Sequence, residues 1–168
     1  MDEKQKQVCV LFVCMGNICR SPAAEGVFGH YVQQQGKAQD FHIDSAGTID
    51  YHRGKPADPR MRQAAAGRGY TLTSVSRQVI PDDLDEFDLI VAMDRDNLWY
   101  LEELAGGPQP KIRLLGSFLP ERQGPPEQAP EVPDPYYGGA QGFEAVLDML
   151  ERACPGIYSA CRESSGFL

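Results

Sequence analysis

A chain of 168 residues with 42% hydrophobic content is long enough and apolar enough for one domain around a single core, and too apolar for a disordered segment. Its formal charge of −8 disfavours nucleic acid and anionic membrane surfaces as partners, and no apolar run is long enough to span a bilayer. The five cysteines are irregularly spaced behind a polar first stretch without a secretion signal, which argues against a disulfide framework and for a reducing, cytoplasmic setting. None of their spacings fits a zinc site, so no metal and no other cofactor is expected.

Met1 to Gln7 is expected to be a flexible end. Val8 to Val13 is an apolar run rich in β-branched and aromatic residues, predicted as a buried strand that stops at Cys14. A loop of Met15, Gly16, Asn17, Ile18, Cys19 and Arg20 follows. Ser21-Pro22 then opens a helical pattern to about Gln35, with Ala23, Val27, Tyr31 and Gln34 along one side and Gly36 as its stop. Phe41 to Ala46 is predicted as a second strand, Phe41, Ile43 and Ser45 alternating with His42, Asp44 and Ala46. Thr48 to Pro59 is a loop carrying Tyr51, His52, Arg53 and Gly54, in which His52 reads as a solvated residue. Asp58 or Pro59 starts a helix running to about Arg68 and ended by Gly69.

Leu84 to Phe87 leads into a third strand, Leu89 to Met93, with Asp94 at its end as a structural acid. Arg95 to Leu104 is predicted as a helix with Leu98, Leu101 and Leu104 on one face, stopped by Gly106-Gly107-Pro108. Lys111 to Leu115 is the fourth strand. Gly116 to Gly139 is a loop with six prolines from Pro120 to Pro135, and loops of that length in compact domains are usually functional or disordered. Gln141 to Cys154 is the clearest helix, with Phe143, Val146, Leu147, Leu150 and Cys154 at helical spacing; Pro155 is expected to kink or end it. Apolar strands alternating with helices predict an α/β domain: a parallel sheet covered on both faces, in three layers. Ligands of such sheets bind at the carboxyl ends of strands, where Cys14, Ser45 and Asp94 fall.

The strand-loop-helix unit VCVLFVCMGNICRSPAAE carries the chemistry. Five residues separate Cys14 from Arg20, a length that lets successive amides of Met15, Gly16, Asn17, Ile18, Cys19 and Arg20 converge on one tetrahedral anion. Gly16 permits positive φ and Asn17 tolerates the left-handed region. Arg20 offers a planar fork to two phosphate oxygens. A cysteine at the bottom of such a positive bowl is favoured as thiolate, the nucleophilic form. Ser21 reads as a helix cap whose hydroxyl can also donate to the sulfur, although Ala24 rather than Glu25 falls at the capping-box position.

That unit resembles the signature of the low-molecular-weight protein tyrosine phosphatases. Asp44-Ser45-Ala46-Gly47-Thr48 and Asp134-Pro135-Tyr136-Tyr137-Gly138 match the same family in the same order, so the resemblance covers roughly Val8 to Arg162. It implies a four-stranded sheet in the order 2-1-3-4 and hydrolysis of phosphotyrosine through a cysteinyl-phosphate on Cys14. It implies Arg20 as phosphate ligand, Asp134 as general acid and base, and a hydrogen bond between Asn17 and Ser45. Pro135 restricts Asp134 to extended backbone, which helps aim the carboxyl. Tyr51, Tyr136 and Tyr137 are the expected aromatic walls for a phosphotyrosine ring.

Partners are therefore expected to be phosphotyrosine-containing proteins, with the chain a monomer or weak dimer. Family members often carry tryptophan where this chain has Tyr51, and mammalian relatives often carry histidine at Ser74. A reversible disulfide between Cys14 and Cys19 is a further implication of the family. Rival chemistries on the same scaffold are weaker. Arsenate reduction needs further cysteines, and Asp94 to Gly116 holds none. Phosphoarginine phosphatases tend to carry threonine at the position of Ile18. No Gly-Lys-Ser/Thr follows the loop, against a nucleotide-binding P-loop.

Overall fold

The apolar run forms strand β1, Val8–Cys14, at the centre of a parallel sheet in the order β2-β1-β3-β4. The computed structural model describes residues 6–121 and 124–165. Helix α1 spans Arg20–Gln34 and β2 spans Phe41–Gly47. After them come α2, Pro59–Ala66, α3, Pro81–Glu86, and β3, Leu89–Ala92. Helix α4, Arg95–Ala105, β4, Ile112–Leu114, and α5, Ala140–Ser165, complete the order. The fold class and strand order are those expected.

Alternation along β1 sorts the core. Val8, Val10, Phe12 and Cys14 join one cluster with residues of α1, α2 and α5; Leu11 and Val13 join the other with residues of α3 and α4. The sheet is thus sandwiched, and a strand buried on both faces needs no polar alternation. Pairing sets Cys14 opposite Gly47, Phe12 opposite Ser45 and Val13 opposite Ala92. Cys14, Ser45 and Asp94 consequently gather at the carboxyl edge of the sheet.

Several local expectations are corrected. Helix α1 begins at Arg20, with Cys19 at the N-cap position and no side-chain cap, so Ser21 lies inside the first turn. Pro81–Glu86 is a short helix where only a lead-in was expected; Pro81 sits in its first turn and the Asp83 carboxylate accepts from the Ile80 amide. Helix α2 stops at Ala66, capped at its start by Asp58. The proline-rich loop contains two 3₁₀ turns, Leu115–Phe118 and Pro126–Gln128. Pro155 does not end α5: its apolar stripe continues through Ile157, Tyr158 and Cys161, all buried, and this packing outweighs the lost backbone bond. The expected flexible end lies mostly outside the described residues; of it, Gln7 is placed, donating to the Gln39 carbonyl at 3.1 Å. Among the described residues, no helix is long and apolar enough to cross a membrane.

Candidate active site

Leaving β1, the chain turns sharply at Asn17, the one described non-glycine residue with positive φ, at +56°. This conformation costs a residue with a β-carbon about 1 kcal/mol or more unless its side chain bonds locally. Asn17 does so three times. Its Nδ2 donates to Ser21 Oγ at 2.8 Å and to Ser45 Oγ at 3.0 Å, and its Oδ1 accepts the Arg77 amide at 3.0 Å. The hydrogen bond to Ser45 implied by the resemblance is present. Ser45 Oγ in turn donates to Glu25 Oε1 at 2.7 Å.

The loop is tied down from outside as well. Thr48 and Ile49 amides donate to the Cys14 and Met15 carbonyls at 3.0 and 3.1 Å, Ser76 Oγ to the Gly16 carbonyl at 3.0 Å, and the Asp58 amide to the Ile18 carbonyl at 2.8 Å. With its carbonyls bound outward, the loop turns its amides inward. Among the described residues, the N–H groups of Gly16, Ile18, Cys19 and Arg20 have no protein acceptor. Beside a helix start, such a ring of donors is suited to an anion.

Cys14 lies at the floor of this ring, buried. Its Sγ is 3.0 Å from Ser21 Oγ and accepts the Asn17 amide at 3.3 Å. Asn17 donates to Ser21 Oγ, so the serine proton has two acceptors within reach, the Cys14 sulfur at 3.0 Å and the Ala46 carbonyl at 3.4 Å.

Arg20 is almost fully buried. Nη1 donates to Asp94 Oδ2 at 2.6 Å and to the Val132 carbonyl at 3.1 Å, and Nη2 lies 3.6 Å from Asp134 Oδ2. Burial works against the Arg20 charge, but Cys14, Asp94 and Asp134 outweigh it and hold the guanidinium above its ordinary range. Asp94 also caps α4, accepting the Asn97 amide at 2.9 Å. It is thus a structural acid, as expected, but one whose carboxylate aims the arginine. Burial first, then Asp58, Cys14 and Asp134, push the Cys19 thiol up to about 12.

Cys14, Cys19, Arg20 and Asp134 line a cleft of about 290 Å³ with Met15, Gly16, Ile18, Ile49, Tyr51, His52, Tyr136 and Tyr137. His52 is not the solvated residue expected. It is half-buried beside Gly16, with Tyr51 edge-on at 4.8 Å between ring centroids and Tyr136 at 6.3 Å. Tyr137 meets Tyr136 edge-on at 4.9 Å. Tyr51 and Tyr137, 78% and 89% exposed, stand where the cleft opens to solvent.

Sequence reasoning gave Glu25, Asp58 and Arg77 no part in the site. Glu25 stands four residues after Ser21, on the same helical face, and that spacing was the available signal. Burial pushes its carboxyl above the ordinary range; hydrogen bonds from Ser45 and Ser74 pull it partly back, while Asp44 adds to the rise. Ser74 therefore still serves the network at the position where histidine was the alternative. Asp58, which local pattern marks only as a helix start, and Arg77, which none marks, reach the loop from distant segments. Among the described residues, no group of three or more His, Cys, Asp or Glu is placed to hold a metal ion.

Comparison with known proteins bears directly on this geometry. The family profile described as low molecular weight phosphotyrosine protein phosphatase matches residues 9–165. A low molecular weight protein-tyrosine-phosphatase of Streptomyces coelicolor is 44% identical over 156 residues, covering 92% of this chain and 93% of the relative. The crystal structure of a protein tyrosine phosphatase from Entamoeba histolytica, with Hepes in its active site, superposes with a TM-score of 0.84 at 42% identity, covering 96% of this chain and all of that one. A Drosophila arginine phosphatase structure superposes with a TM-score of 0.79 at 34% identity, covering 90% of this chain and 96% of that one. With the fold, the strand order and nearly the whole length in common, the chain belongs to the low molecular weight phosphotyrosine protein phosphatase family.

Proposed function

We infer that the cleft hydrolyses phosphotyrosine monoesters in proteins through a phosphocysteine. The observation that carries this reading is the Cys14 sulfur, which receives the Asn17 amide and faces the Ser21 hydroxyl on the floor of a cleft that Arg20 and Asp134 also line. The Cys14 thiolate attacks phosphorus in line, forming an S–P bond as the P–O bond to the phenol breaks. Asp134 gives its proton to the departing phenoxide oxygen. Asp134, now a carboxylate, takes a proton from water, whose oxygen attacks phosphorus and breaks the S–P bond. Inorganic phosphate leaves and the thiolate is regenerated.

Arg20 and the loop amides hold the three equatorial oxygens throughout. Asp94 and the Val132 carbonyl occupy Nη1, which leaves the Nε–Nη2 edge of Arg20 as the fork for phosphate. The Asn17 amide and the Ser21 hydroxyl meet the sulfur that attacks, and Ser45 supports Asn17. Tyr51, Tyr136 and Tyr137 favour a flat aromatic leaving group over a serine side chain.

Arsenate reduction is disfavoured because Cys154 and Cys161 lie in the core on α5, where burial pushes both thiols up to about 12; neither is suited to resolve an adduct on Cys14. The test is turnover of phosphotyrosine, phosphoserine, phosphoarginine and arsenate by wild type and Cys14→Ser. Phosphate release from phosphotyrosine alone, abolished in the variant, is expected. Appreciable release by Cys14→Ser, or preference for another substrate, would overturn the assignment.

A further inference from the structure

Arg60 belongs to neither the phosphate loop nor the acid loop, yet it is bound toward both. Its guanidinium pairs at two points with Asp58, Nε to Oδ1 at 3.1 Å and Nη2 to Oδ2 at 2.9 Å. Asp58 is buried and fixed: Oδ1 accepts the Arg60 amide at 2.8 Å as the cap of α2, and its own amide donates to the Ile18 carbonyl of the phosphate loop. The same guanidinium lies over two rings, 4.9 Å from the centroid of Phe143 and 5.4 Å from that of Tyr136. Phe143 is buried in α5. Tyr136 is two residues beyond Asp134.

The segment carrying Asp134 has few other anchors. Val132 is held by the Met93 carbonyl through its amide, at 2.8 Å, and by Arg20 through its carbonyl. Beyond it, the Tyr136 and Gly138 amides bond only within the segment, to Asp134 Oδ1 and the Pro135 carbonyl. What ties residues 133–139 to the body of the protein is side-chain contact: Asp134 Oδ2 at 3.6 Å from Arg20 Nη2, too long to fix the direction of the carboxyl, Pro135 near Gly142, and Tyr136 against Arg60 and His52. A general acid displaced by an ångström loses much of its effect. We propose that Arg60 is a positioning residue for the proton transfer: locked to the phosphate loop through Asp58, it holds Tyr136 by its ring face and so sets Asp134 at the height of the leaving oxygen.

This inference rests on Asp134 being the acid. A planar fork that pairs on its edge and stacks on its face is specific to arginine, so lysine is not an adequate substitute.

The experiment compares kcat/KM for aryl phosphates of graded phenol acidity in wild type, Arg60→Ala, Arg60→Lys and Asp134→Ala, with inhibition by inorganic phosphate measured alongside. Arg60 is exposed on one side, so both of its variants are expected to fold. The expected result for both is phosphate inhibition within about twofold of wild type, little change on the most activated ester, and about tenfold or more loss on the poorest leaving group. The dependence on leaving group steepens in the direction of Asp134→Ala, but less far. A loss uniform across the series, or a wild-type slope in Arg60→Ala, overturns the proposal and leaves Arg60 a structural residue. Full function in Arg60→Lys overturns the requirement for a fork. An unchanged slope in Asp134→Ala instead removes the acid assignment itself, and that outcome is separable from the others.

Discussion

Asn17→Ala tests whether the loop is held in its shape or merely adopts it. The substitution removes three hydrogen bonds, to Ser21 Oγ, to Ser45 Oγ and from the Arg77 amide. At roughly 1 kcal/mol net for each, that is about 3 kcal/mol. Alanine must also hold the positive φ of this position, +56°, at about 1 kcal/mol more. The total of about 4 kcal/mol corresponds to about a thousandfold if the closed loop is the competent state. Asn17→Gly loses the same bonds without the backbone cost, so glycine is expected to be about fivefold more active than alanine. Thermal stability should fall far less than activity suggests, because the loop can open while the sheet remains folded. The assay is kcat/KM on an aryl phosphate, with phosphate inhibition and a melting curve. Asn17→Ala within about threefold of wild type would refute the reasoning. Alanine matching or exceeding glycine would refute the backbone part of it.

Arg77 pairs with Asp44 at 3.0 Å and with the buried Asp83 at 2.9 Å, so Arg77→Met should cost about 2 kcal/mol in a denaturant titration; an unchanged midpoint opposes this. Burial raises the Glu25 carboxyl, and a raised acid contributes stability at low pH that is lost as pH rises through its folded pKa. Glu25→Gln, a neutral isostere, should therefore gain on wild type in melting temperature as pH rises from acid to neutral; a gap independent of pH would contradict it. Because burial holds Cys19 at about 12, Cys19→Ser should leave the pH profile of kcat/KM unchanged up to about pH 10, whereas a displaced alkaline limb would assign Cys19 a titrating role.

The strand, loop and helix from Val8 to Glu25 were legible because their signals are local. An apolar run, a left-handed turn residue and an anion-binding helix start can each be read within a few positions. The order of the strands was supplied by resemblance, since nothing local dictates that β1 should lie between β2 and β3. The groups that fix the site were not legible. Arg20 meets Asp94 across 74 positions and the Val132 carbonyl across 112, and Asn17 meets Arg77 across 60. Loops from separate crossovers create those neighbours, and neither composition nor period records them. Two local readings held only in part. Pro155 did not end α5, whose apolar stripe continues through Cys161, and Ser21, read both as a cap and as a partner of the sulfur, keeps only the second role once Arg20 begins the helix.

On the mechanism proposed above, an acidic protein must bind a dianion beside the Cys14 sulfur, and the layout of Arg20 addresses that electrostatic difficulty. The formal charge of −8 repels the substrate at long range, so attraction has to come from the cleft itself. Pairing Arg20 with Asp94 cancels most of its charge as seen from afar while fixing the direction of its remaining edge. What faces the phosphate is then mainly a ring of main-chain dipoles, whose field falls off quickly with distance. A phosphate still bonded to its phenol feels that field less completely than one whose three equatorial oxygens have flattened toward the ring. Stabilisation is therefore concentrated where bonds are changing, and moderate affinity for the ground state goes with strong support for phosphoryl transfer. On this view Asp94 acts on the chemistry only through Arg20, by fixing the direction of the edge left for phosphate.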